Sequence, residues 1–352
     1  MLHGFSREEL VVTDLAFRFL VLACCVVSAL AHAIELPRRP LSPYQIFNPG
    51  IWEDVPEDSE SHIGFSIGPT LQSNPGFLPD SAPPSKADLG VNIALEGASA
   101  TKLASGRIGI DYAGSYEGFP EDEVSSFSQH DFDLVYRIPV GTAQTMAFRP
   151  FGTYMGWQNT SYFGLLGFAV SGMFKAETSS HSLQAAFYED HFFQDSLADR
   201  QGFHIRFDYR WDFSIDDLYL RAMFYLEHNK TGRERLVPNG TLNFSHNDLG
   251  VRFSADWNRR WGVLSCLTML ILREDVLTSS YAVNGIGMNK RREDFQIVFR
   301  PNVAIPITSR LQLTAWAEIN RNFSNFGVGD FEDDNAVNWS TGLSLRAYFS
   351  GV

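Results

Sequence analysis

Apolar and polar residues alternate one for one along much of this chain. The clearest case is 202–213. Phe203, Ile205, Phe207, Tyr209, Trp211 and Phe213 are apolar or aromatic, and His204, Arg206, Asp208, Arg210 and Asp212 stand between them. Successive side chains of a β-strand point to opposite faces, so the pattern predicts a strand with one apolar and one ionic face. Period-two segments recur from His62 onward. They predict strands near 62–71, 88–97, 105–114, 129–140, 145–157, 161–174, 180–190, 201–213, 217–228, 246–257, 261–272, 292–305, 309–320 and 338–349. In 88–97, Leu89, Val91, Ile93 and Leu95 oppose Asn92 and Glu96. In 309–320, Leu311, Leu313, Ala315, Ala317 and Ile319 oppose Gln312, Thr314, Glu318 and Asn320. The alternation is weakest in 145–157 and 161–174.

The connections carry a second period. Links at 141–144, 175–179, 214–216, 258–260 and 306–308 are short. Links at 115–128, 191–200, 229–245, 273–291 and 321–337 are long, and 158–160 is the one short link where a long one is due. Short and long links alternating between amphipathic strands predict an all-β fold, a closed antiparallel up-and-down transmembrane β-barrel of about 14 strands, with 12 to 16 compatible with the pattern. A tilted strand of about ten residues spans the hydrocarbon core. Lipid supplies no hydrogen bonds, so closure is what pairs every strand edge. An even count puts both ends of the barrel on the short-turn side.

Composition is compatible with this picture. Mean hydropathy is only −0.12. Past the N-terminus no apolar run reaches the ~18 residues of a membrane helix, while alternating strands average to neutral hydropathy. The net charge of −13 provides no basic domain to neutralise phosphates, so no nucleic-acid partner is expected. The one continuous apolar run, Phe19–Leu30, follows Arg18 and precedes Ala31-His32-Ala33, which reads as a signal peptide over 1–33 with Ala31 and Ala33 at the cleavage site. Glu8 and Glu9 are out of place in such a segment and fit a misassigned start; a lipobox reading at Val21-Leu22-Ala23-Cys24 is the alternative. Cleavage after Ala33 would leave Cys266 as the one cysteine and exclude an internal disulfide. Residues 34–60, with Pro37, Pro40, Pro43, Pro49 and Pro56, read as an extended lead-in, either a tail or a plug of the lumen. The barrel is expected over 61–349.

The candidate site is the polar face. The alternation turns Arg137, His204, Arg206, Asp208, Arg210, Asp212, Arg221, Arg252, Asp256 and Glu318 toward the lumen, with Asp131, Asp133 and Arg346 beside them. A barrel of this strand number is on the order of 25 Å across, too wide for side chains alone to fill. Two readings of these charges stay open. Opposed rows of arginine and carboxylate set up a field that selects solutes, or cross-strand ion pairs rigidify the interior. Trp211, Phe213, Trp257 and Trp261 flank short turns, where an aromatic girdle belongs. Acid gathers in the long links: Glu117, Glu121, Asp122 and Glu123; Glu189, Asp190, Asp195 and Asp199; and Asp330, Glu332, Asp333 and Asp334. The last group lacks the spacing of a calcium loop, and no cofactor or metal is expected. The chain has neither G-x-S-x-G nor H-E-x-x-H, and His204 and Asp208, four residues apart on one strand, lie about 13 Å from each other, so an enzyme is not expected.

The last strand runs Trp339-Ser340-Thr341-Gly342-Leu343-Ser344-Leu345-Arg346-Ala347-Tyr348-Phe349. It resembles the C-terminal signature of bacterial outer-membrane β-barrel proteins of the porin-like class: a glycine, Gly342, then alternating apolar positions including Leu345 and Ala347, ending on an aromatic, Phe349. This chain departs from the signature in continuing with Ser350-Gly351-Val352. The resemblance covers about a dozen residues. It implies location in the bacterial cell outer membrane, recognition of this segment by the barrel-assembly machinery, and contact with outer-membrane lipid and lipopolysaccharide. The expected function is a porin-like channel for passive diffusion of small polar solutes. A non-transport barrel (adhesin, envelope-structural protein or assembly partner), a barrel enzyme and a soluble all-β secreted protein are the alternatives.

Overall fold

The computed structural model describes residues 61–72, 88–119, 126–157, 160–193, 201–232, 235–237, 240–242, 245–276, 279–283, 286–325 and 336–350. The expected signal peptide with Ala31 and Ala33, the lead-in over 34–60 and the acidic group at Asp330–Asp334 lie outside them. Among the described residues there is no helix. The strands are β1 (His62–Gln72), β2 (Asp88–Leu103), β3 (Gly106–Gly118), β4 (Phe127–Pro139), β5 (Gln144–Trp157), β6 (Thr160–Lys175), β7 (Ser179–Phe192), β8 (Gly202–Ile215), β9 (Leu218–Thr231), β10 (Arg235–Val237), β11 (Gly240–Leu242), β12 (His246–Arg259), β13 (Gly262–Asp275), β14 (Ser279–Val283), β15 (Ile286–Lys290), β16 (Glu293–Thr308), β17 (Leu311–Ser324) and β18 (Ala336–Ser350).

Fourteen of these strands close into one antiparallel barrel, each paired to its neighbours in the chain of barrel strands, and β18 returns to pair with β1. The closing seam sets Phe65 opposite Ala347 and Ile67 opposite Leu345. Every strand read from the alternation is present. Two differences stand out. First, β2 and β3 run on to a tight turn at Ala104 and Ser105, where the alternation predicts a link over 98–104. Second, the long links 229–245 and 273–291 hold β10, β11, β14 and β15, which pair into a separate four-stranded sheet in that order. The period-two pattern that exposed the barrel strands did not mark these short strands.

The alternation sorts onto two faces as expected. On β8, Phe203, Phe207, Tyr209 and Trp211 are exposed on the outside, while His204, Arg206, Asp208, Arg210 and Asp212 are buried inside. The outer face elsewhere carries Leu89, Val91 and Leu95 on β2, Leu226 on β9 and Leu343, Leu345 and Phe349 on β18. On β7 this band is bounded by two histidines. Near the short turns His181 bonds the Tyr209 hydroxyl at 2.8 Å and stacks on Trp211. Near the long loops His191 meets the edge of Phe193. Ten residues of tilted strand separate them, about 25 Å of barrel height, the height of the apolar band of a membrane barrel. Trp257 is exposed at the short-turn end of β12, with Arg259 lying 3.7 Å over its ring. Such amphipathic pairs fit a membrane interface.

Glycines on the inner wall make room for large neighbours. The Tyr225 ring lies over Gly250, opposite it on the next strand, where a Cβ would collide with the ring. The indole of Trp316 occupies the equivalent space over Gly342, which faces inward while Leu343, Leu345, Ala347 and Phe349 face out. The C-terminal glycine is therefore the floor for a buried tryptophan next to the closing seam.

Candidate functional site: the inner wall of the barrel

Register places all ten predicted lumen residues on the inner face. The short spacing between facing residues on neighbouring strands lets their side chains meet, and most of them do. Arg206 on β8 binds Asp208 at 2.8 Å and reaches Glu227 of β9 at 3.5 Å. Arg210 binds Asp212 at 2.7 Å, and Arg221 approaches the same carboxylate at 2.8 Å from β9. Glu318 is paired with Arg300 of β16. Arg252 faces Met223 and Met269 on its two sides, and Asp256 faces Tyr219 and Ser265. Arg137 lies opposite Arg107.

His204 sits between two carboxylates. Its Nε2 is 3.1 Å from Asp190 of β7, its Nδ1 is 2.8 Å from Glu227, and its ring stacks on Tyr188 at 4.3 Å between centroids. Tyr188 in turn hydrogen-bonds Glu227. The arrangement is a packed polar network joined to the Arg206 group through Glu227.

The arginines and carboxylates of β8 alternate along one strand and pair with each other and with β9. The opposed rows anticipated from the sequence are therefore absent from this wall: its charges are arranged as compensated pairs, and β8 presents them 2–6% exposed. Three further pairs continue the pattern: Arg149 with Asp133, Arg273 with Asp248, and Arg346 with Glu96. Sequence reasoning passed over Glu227, Arg149, Arg273 and Arg300 as partners. Parity along each strand marked them as inward; only register could say what they meet. Asp190 and Glu117, read as loop acids, stand on the inner faces of β7 and β3. Glu189, read with them, lies on the outer face of β7, near the end of the apolar band.

The interior is not polar throughout. Phe151, Leu165, Ala169, Ala186 and Tyr188 form a buried cluster on the inner face of β5, β6 and β7, with Phe163 against it. Met223, Met269 and Val298 point inward on β9, β13 and β16. On β5 and β6 the inner face is largely apolar as well as the outer one, which is why the alternation is weakest there in the sequence.

No family model matches the chain, and no curated relative matches it. Solved structures similar to it include the anion-selective porin from Comamonas acidovorans, at 10% identity and a TM-score of 0.45, covering 83% of this chain and 99% of that one. OmpT, an outer membrane protein of Vibrio cholerae, covers 83% of this chain and 100% of its own at 8% identity and a TM-score of 0.42. Acinetobacter baumannii OccAB3 covers 84% and 100% at 8% identity and a TM-score of 0.40.

Proposed function

We propose that this chain is a porin-like channel of the bacterial outer membrane, passing small polar solutes by passive diffusion. One observation carries the reading: a closed fourteen-stranded barrel whose exposed outer face is apolar and whose inner face holds the charged side chains. Apolar side chains are exposed to the outside only where lipid receives them, and ionic side chains face inward only where water or ion pairing compensates them. Tyr219, Arg221, Arg252, Ser254 and Asp256 line the inner wall of β9 and β12 with part of their surface accessible, and they are the natural contacts for a passing solute. In this reading the short turns are periplasmic, the long loops external, and β18 carries the segment that the barrel-assembly machinery recognises.

Planar-bilayer recording of the purified, folded protein tests the channel. Discrete conductance steps are expected; a folded barrel that produces none overturns it. Membrane location has its own test. The protein should resist carbonate extraction of cell envelopes and leave them only with detergent.

A second reading is favoured by one feature, the sheet formed by β10, β11, β14 and β15 beyond the barrel. It would make the external loops a binding platform. Deleting 235–242 and 279–290 should then abolish cell-surface adhesion and leave conductance intact.

A further inference from the structure

We infer that Lys102, Arg107 and Arg137 form an anion-binding step at the short-turn mouth of the lumen, taking small carboxylate- or phosphate-bearing solutes. The inference rests on the channel reading above and adds the charge class of the solute.

The three residues come from three successive strands and fall in one register row: Lys102 opposite Arg107, and Arg107 opposite Arg137. Their parity is that of Ala98, Asp111 and Asp133, so all three belong to the inner face. Like charges placed directly opposite on neighbouring strands destabilise a sheet. A folded barrel meets that cost most cheaply where the cations stay in water. Lys102 and Arg107 are exposed, and no ion pair among the described residues engages either. The row behind them, Ala100, Gly109 and Val135, carries no charge. The next carboxylate pair is Asp111 and Asp133, and Asp133 is bound by Arg149. The cations therefore border an uncharged step.

The opposite end of the lumen has the reverse sign. Asp88, Glu117, Asp190, Asp248, Asp275 and Asp294 stand on the inner face near the long loops, where Arg273, Arg292 and His204 offset only part of them. The inner wall of β2, β3 and β4 is thus basic at the short-turn mouth, where Asp212 and Asp256 stand apart on β8 and β12, and the long-loop mouth is acidic. In a water-filled lumen with a low-dielectric wall such a gradient is focused rather than dispersed, and rings of basic side chains are how pores hold anions. An anion entering from the short-turn side meets the cations first; one entering from the other side must first pass the acids.

The test compares wild type with Lys102→Gln/Arg107→Gln. In bilayers under a potassium chloride gradient, the double variant should lose anion preference, the chloride-to-potassium permeability ratio falling about twofold for each charge removed. Inorganic phosphate added to one chamber at a time should reduce chloride current from one side only, and this block should weaken in the variant. An unchanged ratio with unchanged block overturns the proposal. Broadening of the inorganic phosphate line in phosphorus NMR, measured with the detergent-solubilised barrel, reads binding without requiring conductance. Equal broadening by both proteins also overturns the site. A silent wild-type bilayer together with variant-sensitive broadening supports the anion site and sinks the channel reading alone. Heat-modifiable gel migration confirms that the variant is folded.

Discussion

The Arg206 guanidinium lies 3.9 Å from the centre of the Tyr225 ring. The two residues are on adjacent strands, and the same ring covers Gly250 of β12. Guanidinium, phenol and glycine floor thus form one stack across three strands, while Arg206 also binds Asp208 and faces Glu227. Arg206 is 2% exposed, so its removal leaves Asp208 without its cation and Glu227 with His204 alone, in a site that water barely reaches.

Arg206→Gln should therefore cost about 3–5 kcal/mol of barrel stability. Combining it with Glu227→Gln should cost less than the sum of the single changes, because each partner relieves the charge stranded by loss of the other. Urea unfolding of the folded barrel, followed by tryptophan fluorescence, measures both. Additive costs would show that the pair is not coupled.

Gly250→Ala places a Cβ against the Tyr225 ring and should destabilise by about 1–3 kcal/mol, the usual range for overpacking. In a Tyr225→Ala background the space is open. The same substitution should then be neutral or favourable, since alanine restricts the unfolded chain more than glycine does. A cost that persists in the double variant would place the strain in the backbone rather than against the ring.

At the closing seam, Gly342 and Leu345 should part company. Gly342→Val meets Trp316 inside the barrel and the Pro69 carbonyl of β1. It should prevent closure, seen as loss of the heat-modifiable folded band. Leu345→Ala faces outward and should retain that band, with a loss of about 1–3 kcal/mol from its apolar contact. Folding of the valine variant at wild-type yield would show that β18 closes by a route independent of the glycine.

Ala104 occupies a left-handed conformation, φ 52°, in the turn between β2 and β3. An L-residue with a Cβ pays roughly 1–2 kcal/mol there. Ala104→Gly removes that strain at some entropic loss and should raise stability by up to about 1 kcal/mol, read from the same urea titration. Asp216, φ 47°, holds the corresponding place between β8 and β9. Aspartate tolerates this region better, so Asp216→Gly should gain less.

The barrel was legible because its outer and inner faces impose opposite demands on alternate residues. Wherever both demands acted, as on β8, β12 and β18, strand, face and direction could be read from parity. On β5, β6 and β13 the inner face is itself partly apolar, through Phe151, Leu165 and Met269, and the period-two signal fades although the strands are equally long. Off the barrel, in the separate sheet, β10, β11, β14 and β15 left no such mark. The candidate site was legible only to the level of face. Arg206, Asp208, Arg210 and Asp212 could be assigned inward from their own strand.

Sequence alone determined that this chain alternates, that its strands are joined by short and long links in turn, and that its charges belong inside. Tertiary structure decided which charges meet. Strand register sets Glu227 opposite Arg206, brings Arg221 to Asp212, and lines up Lys102, Arg107 and Arg137 on three successive strands. Parity is a property of a single strand and is written in its residue order. Register is a relation between strands, and closure of the barrel fixes it through backbone hydrogen bonding that no single strand specifies.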